Sequence, residues 1–333
     1  MRAMHDTVTL ASAEAPEVRV AFEGFSPAEL AELEEGWRLE VAAAGAAGDP
    51  YRIVRESWSE DAQAARAGAE PRPETLTRVA GPQGDALVNR GGVVWVAPGR
   101  RFSRIATDPT LAGSFEVGEL IGAALTQAMA LAGRVPLHAM AAEIDGAGVL
   151  AVGDTMAGKS TLALAALHAG GRVVSDDFLL VGGAPGRPEI GALRRDVFVR
   201  EGSFELIPDD LRERFTAAGA GPGRRVLRRA DAPERFAALI APDVVWFLDG
   251  ERTASAVEVR PVSQAAALAA LISASSSLFA SGRYREERAQ VLPALAAIAE
   301  SARCFAVQVG AQLLRAPAIV IRELLTRTRS GGA

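Results

Sequence analysis

The chain has 333 residues, which is long enough for about two domains of ordinary size. Hydrophobic residues make up 49% and charged residues 23%, so the composition is globular and excludes a disordered or fibrous chain. The formal net charge of −5 argues against a broad electrostatic surface for nucleic acid or anionic lipid, and we expect neither as a partner. The single cysteine, Cys304, cannot form an internal disulfide or a multi-thiolate metal site, which favours the reducing cytoplasm.

The sequence pattern of residues 1–115 predicts a small N-terminal α+β module. Its predicted elements, in chain order, are a strand over 18–22, a helix over 27–37 capped by Ser26, a strand over 51–55, a long connection over 57–85 and a hairpin over 86–97. None of these segments carries a recognisable chemical motif. Trp58 and Trp95 are interpreted as packing residues rather than as a platform for stacking bases.

From residue 116 to 333 the pattern predicts an α/β domain. A helix over 117–131 comes first; its charge-free apolar stretch is too short to cross a bilayer, so we expect a buried helix and no membrane partner. The N-terminus carries His5 and Asp6 and lacks the pattern of a secretory signal. Residues 137–181 then alternate as strand, turn, strand, glycine-rich loop, helix and strand, which is typical of an α/β fold. The later predicted elements are strands over 244–248, 257–259 and 305–309, and helices over 263–275, 286–302 and 319–326.

The glycine-rich loop has a specific pattern. The motif G-x-x-x-x-G-K-[ST], the P-loop, matches Gly153-Asp154-Thr155-Met156-Ala157-Gly158-Lys159-Ser160, between an apolar strand and a helix that continues from Thr161. In such a loop the backbone N–H groups bind phosphates, the lysine reaches the outer phosphates and the serine hydroxyl binds Mg²⁺. We therefore expect residues 153–161 to bind ATP, with Lys159 as a catalytic cation. Lys159 is also the only lysine of the chain, although arginine is common.

Two carboxylates follow the next predicted strand. The segment 172–177 ends in Asp176 and Asp177, and a strand-helix-strand crossover makes this strand parallel to the one before the loop. Both aspartates are therefore predicted at the sheet edge that carries the loop. One could hold Mg²⁺ and the other could take the proton from an attacking hydroxyl, or the pair could simply cap a turn.

His138 is the histidine with a predicted position near the loop. If 137–144 and 148–152 form a hairpin that turns at residues 145–147, paired residues sum to 292 and His138 lies opposite Asp154. There it could donate to a phosphate or to an aspartate, or it could be structural. His5 and His168 have no such placement and are interpreted as structural.

Other classes of nucleotide enzyme fit less well. A guanine-reading Asn/Thr-Lys-x-Asp motif needs a second lysine, which the chain lacks. Asp249 follows an apolar strand as in ABC and RecA-like ATPases, but Gly250 stands where those enzymes have a catalytic glutamate, and no L-S-G-G-Q signature is present. Asp249 is therefore a second-choice metal carboxylate.

Residues 137–177 resemble the HPr serine kinase/phosphorylase family and the wider HPr-kinase-like proteins, which are related in fold to phosphoenolpyruvate carboxykinase. The resemblance rests on the histidine in Leu137-His138-Ala139, the P-loop, and the aspartate pair in Ser175-Asp176-Asp177. It implies a catalytic domain of that fold, ATP and Mg²⁺ as cofactors, Asp176 or Asp177 as general base, Ser160 as a metal ligand and His138 beside the base. The R-G-L-G signature of the regulatory kinase is absent, so the resemblance implies a divergent member.

The sequence thus predicts an ATP- and Mg²⁺-dependent kinase of a hydroxyl, with serine in a protein or peptide as the favoured acceptor. Two alternatives stay open: a kinase of a small hydroxylated molecule such as free serine, and an ATP-binding regulator without catalysis. Arg194 and Arg195 could clamp a phosphate or an acidic substrate, or could be solvated surface. The acceptor, any phosphorylase activity and whether the chain forms a homo-oligomer are left open.

Overall fold

The computed structural model describes residues 8–12, 15–37, 39–41, 49–68, 76–80, 84–111, 115–154, 156–184, 186–192, 196–217, 223–249, 257–275 and 285–330. These residues form a mixed α/β protein with sheets of eight, nine and three strands. They divide into two compact units, one formed by Met1–Arg134 with Ser281–Gln290 and the other by Val135–Ala280 with Val291–Ala333.

The first unit is built on the eight-stranded sheet. Its elements are β1 Val8–Ser12, β2 Ala15–Glu23, α1 Pro27–Trp37, β3 Leu39–Val41, β4 Tyr51–Glu56, α2 Glu60–Gly68, β5 Thr77–Ala80, β6 Asp85–Asn89, β7 Gly92–Val96, β8 Phe102–Thr107 and α3 Phe115–Leu131. The strand order is β3-β1-β2-β4-β8-β7-β6-β5. The predicted helix over 27–37 is confirmed. The Ser26 backbone N–H donates to Glu29 Oε2 at 2.9 Å, and the Glu29 N–H donates to Ser26 Oγ at 3.4 Å, a reciprocal cap.

The connection predicted in this unit differs from the structure. The connection predicted over 57–85 instead contains α2 and β5, because Ala62 of α2 is fully buried and Trp58 packs beside this helix on the cluster of Ala86, Val88 and Val93. Trp58 and Trp95 do serve as packing residues there.

Helix α3 lies in the first unit, whereas the sequence boundary was predicted between residues 115 and 116. The helix packs against β2, β6, β7 and β8, and the Tyr51 hydroxyl donates to Gln127 Oε1 at 2.9 Å. As predicted, the helix is buried from Leu120 to Ala130. The compact units therefore divide after Arg134 rather than before the helix.

The second unit carries the nine-stranded sheet and a small three-stranded one. Its strands are β9 Val135–Ile144, β10 Ala147–Val152, β11 Arg172–Ser175, β12 Phe178–Ala184, β13 Arg187–Ala192, β14 Val197–Arg200, β15 Thr216–Ala217, β16 Arg224–Leu227, β17 Leu239–Ile240, β18 Val244–Leu248, β19 Glu258–Pro261 and β20 Arg303–Gln308. The helices are α4 Lys159–His168, α5 Gln264–Ala274, α6 Arg285–Ser301, α7 Gln312–Arg315 and α8 Pro317–Arg329; α6 begins in residues assigned to the first unit. Strands β13 and β16 fall in segments that the sequence analysis did not predict as strands.

The order of the large sheet is β17-β13-β12-β9-β10-β18-β20-β19, with β11 also paired to β9. Strand β9 is antiparallel to β10 and to β11, while β18 is parallel to β10 and β20 is parallel to β18. Strands β10, β11, β18 and β20 therefore run in the same direction and end at one edge of the sheet, which confirms the predicted direction of the strand before Asp176. Helix α4 packs on this sheet and against α8.

None of the helices in the described parts of the chain is both long enough and apolar enough to cross a membrane.

Candidate functional site

The glycine-rich loop leaves the carboxyl end of β10. A Cβ atom added at Gly153 would lie 2.9 Å from the Cβ atoms of Ala157 and Leu248, so only glycine fits where the loop turns over the neighbouring strand. Gly158 has φ +106° and is the N-cap of α4, another conformation that glycine adopts at little cost. The predicted strand-loop-helix arrangement of this motif is therefore present, while Thr155 lies outside the described residues.

Met156 is the non-glycine residue of the loop with a left-handed backbone. Its φ is +71°, at a position where many P-loops have glycine, and its side chain is largely exposed. For an L-residue this conformation costs roughly 1–2 kcal/mol. Glycine at this position would adopt the same backbone conformation at little cost.

Lys159 is buried at the first position of α4, with 6% of its surface exposed. Its Nζ atom donates to the carbonyl oxygens of Gly153 at 2.7 Å and Asp154 at 3.0 Å, so the ammonium is held inside the loop. Burial lowers the pKa of Lys159 from its ordinary value, while the negative charges of Asp177, Asp176 and Asp154 act in the opposite direction. The lysine and the aspartate pair are therefore within electrostatic range of one another.

The two aspartates have different surroundings. Asp176 is only 3% exposed, and its Oδ1 accepts a hydrogen bond from the Phe198 backbone N–H at 3.4 Å. The Asp177 side chain is 30% exposed, and its Oδ1 lies 3.1 Å from Nε2 of His138. The structure thus brings both carboxylates to the loop edge and gives only Asp177 a partly open carboxylate.

A shift in strand pairing precedes these aspartates. The register of β11 on β9 changes by one residue between Val173 and Ser175, as a β-bulge does, and pairing resumes between Ser175 and Ala141. Beyond it, the Ala139 N–H donates to the Asp177 carbonyl at 3.0 Å. Bulges of this kind re-aim side chains beside functional sites. Phe178, the first residue of β12, then pairs with His138.

The predicted register that placed His138 opposite Asp154 is wrong by one residue. The structure pairs Ala147 with Ile144 and Val152 with Ala139, which continues to His138 opposite Gly153. The cause is the turn, which uses only Asp145 and Gly146, with φ of +48° and +73°, a two-residue form that suits the twist of a hairpin. His138 still lies at the loop, and its partners are Asp177 and the ring of Phe178, stacked with centroids 6.1 Å apart.

The other described residues of the loop lie at the start of α4 or just before it. Ser160 and Thr161 occupy the first turn of α4 and are partly exposed, and the Ala157 N–H donates to the Asp154 carbonyl at 3.1 Å. Among the described residues, no three His, Cys, Asp or Glu side chains converge to hold a metal by themselves. Magnesium in nucleotide enzymes needs only one or two protein oxygens, because phosphates and water complete its shell. The Ser160 hydroxyl with an Asp176 or Asp177 carboxylate fits that requirement.

The other residues considered in the sequence analysis lie at this edge of the sheet, elsewhere in the fold, or outside the described residues. Asp249 follows β18, and its Oδ2 accepts from Gln308 Nε2 at 2.9 Å, so it stands at the same edge beside Leu248. His168 lies at the far end of α4 and bonds to the Leu206 carbonyl at 2.9 Å, a structural contact. Arg194, Arg195 and His5 lie outside the described residues. The sequence analysis missed the contacts of Phe178 and Phe198, because no local pattern relates them to the aspartates.

Comparison with known proteins finds distant structural similarity. No family model matches the chain, and no curated protein matches it. Among solved structures, the chain is similar to the HPr(Ser) kinase/phosphatase from Coxiella burnetii, with 12% sequence identity and a TM-score of 0.31 over 58% of this chain and 98% of that one. The relationship is a distant structural one, and the function proposed below rests on the residues of the loop edge.

Proposed function

We propose that the protein is an ATP- and Mg²⁺-dependent kinase that phosphorylates a hydroxyl group, with serine of a protein or peptide as the favoured acceptor. One observation carries the proposal: the buried Lys159 ammonium, the Asp176 and Asp177 carboxylates and His138 meet at the end of β10, where a glycine-rich loop enters a helix. Phosphoryl transfer needs little covalent chemistry from a protein, and depends on positioning and charge. The ammonium, the two carboxylates and the imidazole supply both the positioning and the charge.

The loop and Lys159 would bind the nucleotide phosphates. Lys159 Nζ now bonds to two carbonyl oxygens of its own loop, and those weak acceptors would be exchanged for charged phosphate oxygens. The N-terminus of α4 adds its backbone N–H groups and its positive dipole end. Charge developing on the transferred phosphoryl group would thus be stabilised by a cation that is already desolvated and in place.

Asp177 is the better placed general base. Its carboxylate is partly open, whereas Asp176 is buried and accepts a backbone N–H. His138, with the proton on Nε2, would donate to Asp177 Oδ1 and orient the other oxygen toward the acceptor hydroxyl. Ser160 and Asp176 would hold Mg²⁺, which when bound neutralises phosphate charge.

The proposed step transfers the γ-phosphoryl group of ATP to the acceptor hydroxyl. The acceptor oxygen forms a bond to the γ-phosphorus while the bond from that phosphorus to the β–γ bridging oxygen breaks. The hydroxyl proton passes to Asp177, and ADP leaves with the bridging oxygen. Lys159 and the loop amides stabilise negative charge on the phosphoryl and bridging oxygens throughout.

The assignment is tested by comparing Asp177→Asn with Asp176→Asn. Removing a positioned base costs typically 10²–10⁴-fold in rate, so we expect Asp177→Asn to lose turnover by about that factor and keep ATP affinity in the absence of metal. Asp176→Asn should weaken the Mg²⁺ dependence of nucleotide binding instead, measured by calorimetry across a magnesium titration. Full turnover by the Asp177→Asn variant would refute the assignment of the base.

A further inference from the structure

His138 and Phe178 face each other across two paired strands beside the glycine-rich loop. Strand β12 is antiparallel to β9, and its register pairs Phe178 with His138. The adjacent pair carries the backbone hydrogen bond, because the Ala139 N–H donates to the Asp177 carbonyl at 3.0 Å. His138 and Phe178 therefore form a non-hydrogen-bonded pair, in which the Cα atoms lie only about 4.5 Å apart and the side chains are closest.

The rings of these two residues are stacked. Their centroids are 6.1 Å apart and their planes differ by 18°. This separation lies within the range in which offset aromatic rings attract each other. Aromatic side chains directly opposite each other on antiparallel strands also stabilise the pairing of the strands. The contact with Phe178 thus follows from the register of β12 on β9, and it favours one orientation of the imidazole.

The strands that carry the two rings are held in the core. Leu137 and Ala139, on either side of His138, are fully buried, and so is Leu179, which follows Phe178. Because the backbone is fixed on both strands, the imidazole keeps only its own side-chain torsions, χ1 and χ2. A contact that restricts these two torsions is therefore enough to orient it.

The imidazole is open to solvent on its remaining side. The His138 side chain is 44% exposed, and its Nε2 lies 3.1 Å from Oδ1 of Asp177. A hydrogen bond in such a position has a small net free energy, because water offers the same partners. Rotating the imidazole into solvent would also separate it from the ring of Phe178. Stacking therefore opposes the exchange of Asp177 for water.

We propose that Phe178 is a positioning residue, which holds the His138 imidazole in the orientation that places Nε2 on Asp177. This inference rests on the proposed function, in which Asp177 is the general base. Phe178 would take and give no proton, and would act through His138. Displacing a catalytic group by about 1 Å can cost about 100-fold in rate, so an apolar residue that only fixes an orientation can still change turnover.

The kinetic test removes the ring and keeps an apolar side chain. The initial rate is that of phosphate transfer from γ-labelled ATP to the proteins of a cell lysate at saturating ATP. Phe178→Leu should lower it about 10-fold and leave the affinity for ATP, measured by calorimetry, unchanged. Phe178→Tyr keeps the ring and should recover most of the rate. Phe178→Met is a second ring-free variant in case the leucine variant does not fold.

A double-mutant cycle separates positioning from a general structural role. In the His138→Ala background, Phe178→Leu should cause no further loss of rate, since the residue that it positions is already absent. An independent contribution of Phe178 to the fold would instead give losses that add.

The spectroscopic test depends neither on turnover nor on the acceptor. The full-length protein, labelled with ¹⁵N and ¹³C in its three histidines, gives three imidazole spin systems, and His138→Gln identifies that of His138. At about pH 8.5, where an ordinary imidazole is neutral, we expect the His138 proton on Nε2 and upfield shifts of its carbon-bound protons from the ring of Phe178. Phe178→Leu should lose the upfield shifts and mix the two tautomers, and Phe178→Tyr should keep both features.

Phe102→Leu is the matched control, because it makes the same change on a strand at a ring that stacks with the Arg52 guanidinium. It should leave the rate and the His138 signals unchanged. The inference is overturned if Phe178→Leu keeps the wild-type tautomer and rate, or if its loss adds to that of His138→Ala. A wild type that transfers no phosphate, but whose His138 signals change as expected in Phe178→Leu, would refute the proposed function and leave the orientation of His138 by Phe178 standing.

Discussion

The Nε2 atom of His138 lies 3.1 Å from Oδ1 of Asp177, and the His138 ring stacks on Phe178, its partner across the strands. The imidazole is therefore held on two sides, by a carboxylate and by an aromatic ring. This contact holds the imidazole beside Oδ1 of Asp177. We therefore expect His138 to act as a positioning residue in the proposed transfer.

Replacing His138 should therefore slow turnover without removing the nucleotide. We expect His138→Ala to reduce kcat about 10–100-fold, less than loss of the base itself, because Asp177 remains but is no longer oriented. His138→Gln, which can still donate to Asp177, should recover part of the rate. Equal rates in wild type and His138→Ala, measured at saturating ATP, would contradict the positioning role.

Lys159 should be needed as an ammonium rather than as any positive charge. Lys159→Arg places a planar fork in a buried site shaped for a compact ammonium, so we expect at least a 100-fold loss of turnover. Arginine is the cation that the chain uses everywhere else, which makes this a sharp comparison. Turnover within a few-fold of wild type would show that the site does not require lysine.

The buried charge of Lys159 makes the free energy of unfolding depend on pH. Its pKa is lowered chiefly by burial, so the unfolded state binds the proton more tightly, and the charge destabilises the fold at neutral pH. Lys159→Met should raise the free energy of unfolding at pH 7 by about 1 kcal/mol, in the range of typical stabilising changes. The difference should shrink as the pH rises toward 10.5, the ordinary value for lysine, because the wild type then loses its buried charge. Urea unfolding at several pH values measures this, and a difference that grows with pH would contradict it.

Met156 offers a test of the loop conformation. Its φ of +71° is strained for alanine or methionine and unstrained for glycine. Met156→Gly should be more stable than Met156→Ala by about 1 kcal/mol in chemical denaturation. Glycine and alanine both lack most of the methionine side chain. The difference in stability between these two variants therefore measures the cost of the backbone conformation at this position. Equal stabilities would mean that the loop does not hold this φ.

Cys304 should be unreactive in the folded protein. Burial raises the pKa of its thiol to about 11. At pH 8 only about one thiol in a thousand is then a thiolate, the reactive form. We expect no reaction with a thiol reagent until the protein is unfolded in urea, where one equivalent should react. Rapid labelling of the native protein would show that this residue is accessible.

The sequence predicts those parts of the site that depend on local pattern. The glycine-rich loop, the helix from Lys159 and the common direction of β10 and β11 follow from residue spacing and the handedness of crossovers. The register of His138 was missed by one residue, because a two-residue and a three-residue turn at Asp145 leave nearly the same sequence pattern. Helix α2 was missed because its burial depends on Ala62 and on strands that follow later in the chain.

The surroundings of the aspartates could not be predicted for a different reason. Asp176 accepts a hydrogen bond from the Phe198 backbone, 22 residues away, and Asp177 comes two residues after a register shift of β11 on β9. Neither feature has a signal in the neighbouring residues. Tertiary contacts therefore distinguish two adjacent carboxylates that the sequence treats alike.

The most direct measurement follows labelled phosphate from ATP to product. Purified protein is incubated with a cell lysate and ATP carrying heavy oxygen on the γ-phosphate, with the Lys159→Ala variant as the control, and products are identified by mass spectrometry. The account predicts labelled phosphoserine peptides with the wild type and none with Lys159→Ala. If the only labelled product is a small molecule, the acceptor is a small hydroxylated molecule rather than a peptide. Tight ATP binding with no labelled product would contradict the kinase and favour a nucleotide-binding regulator.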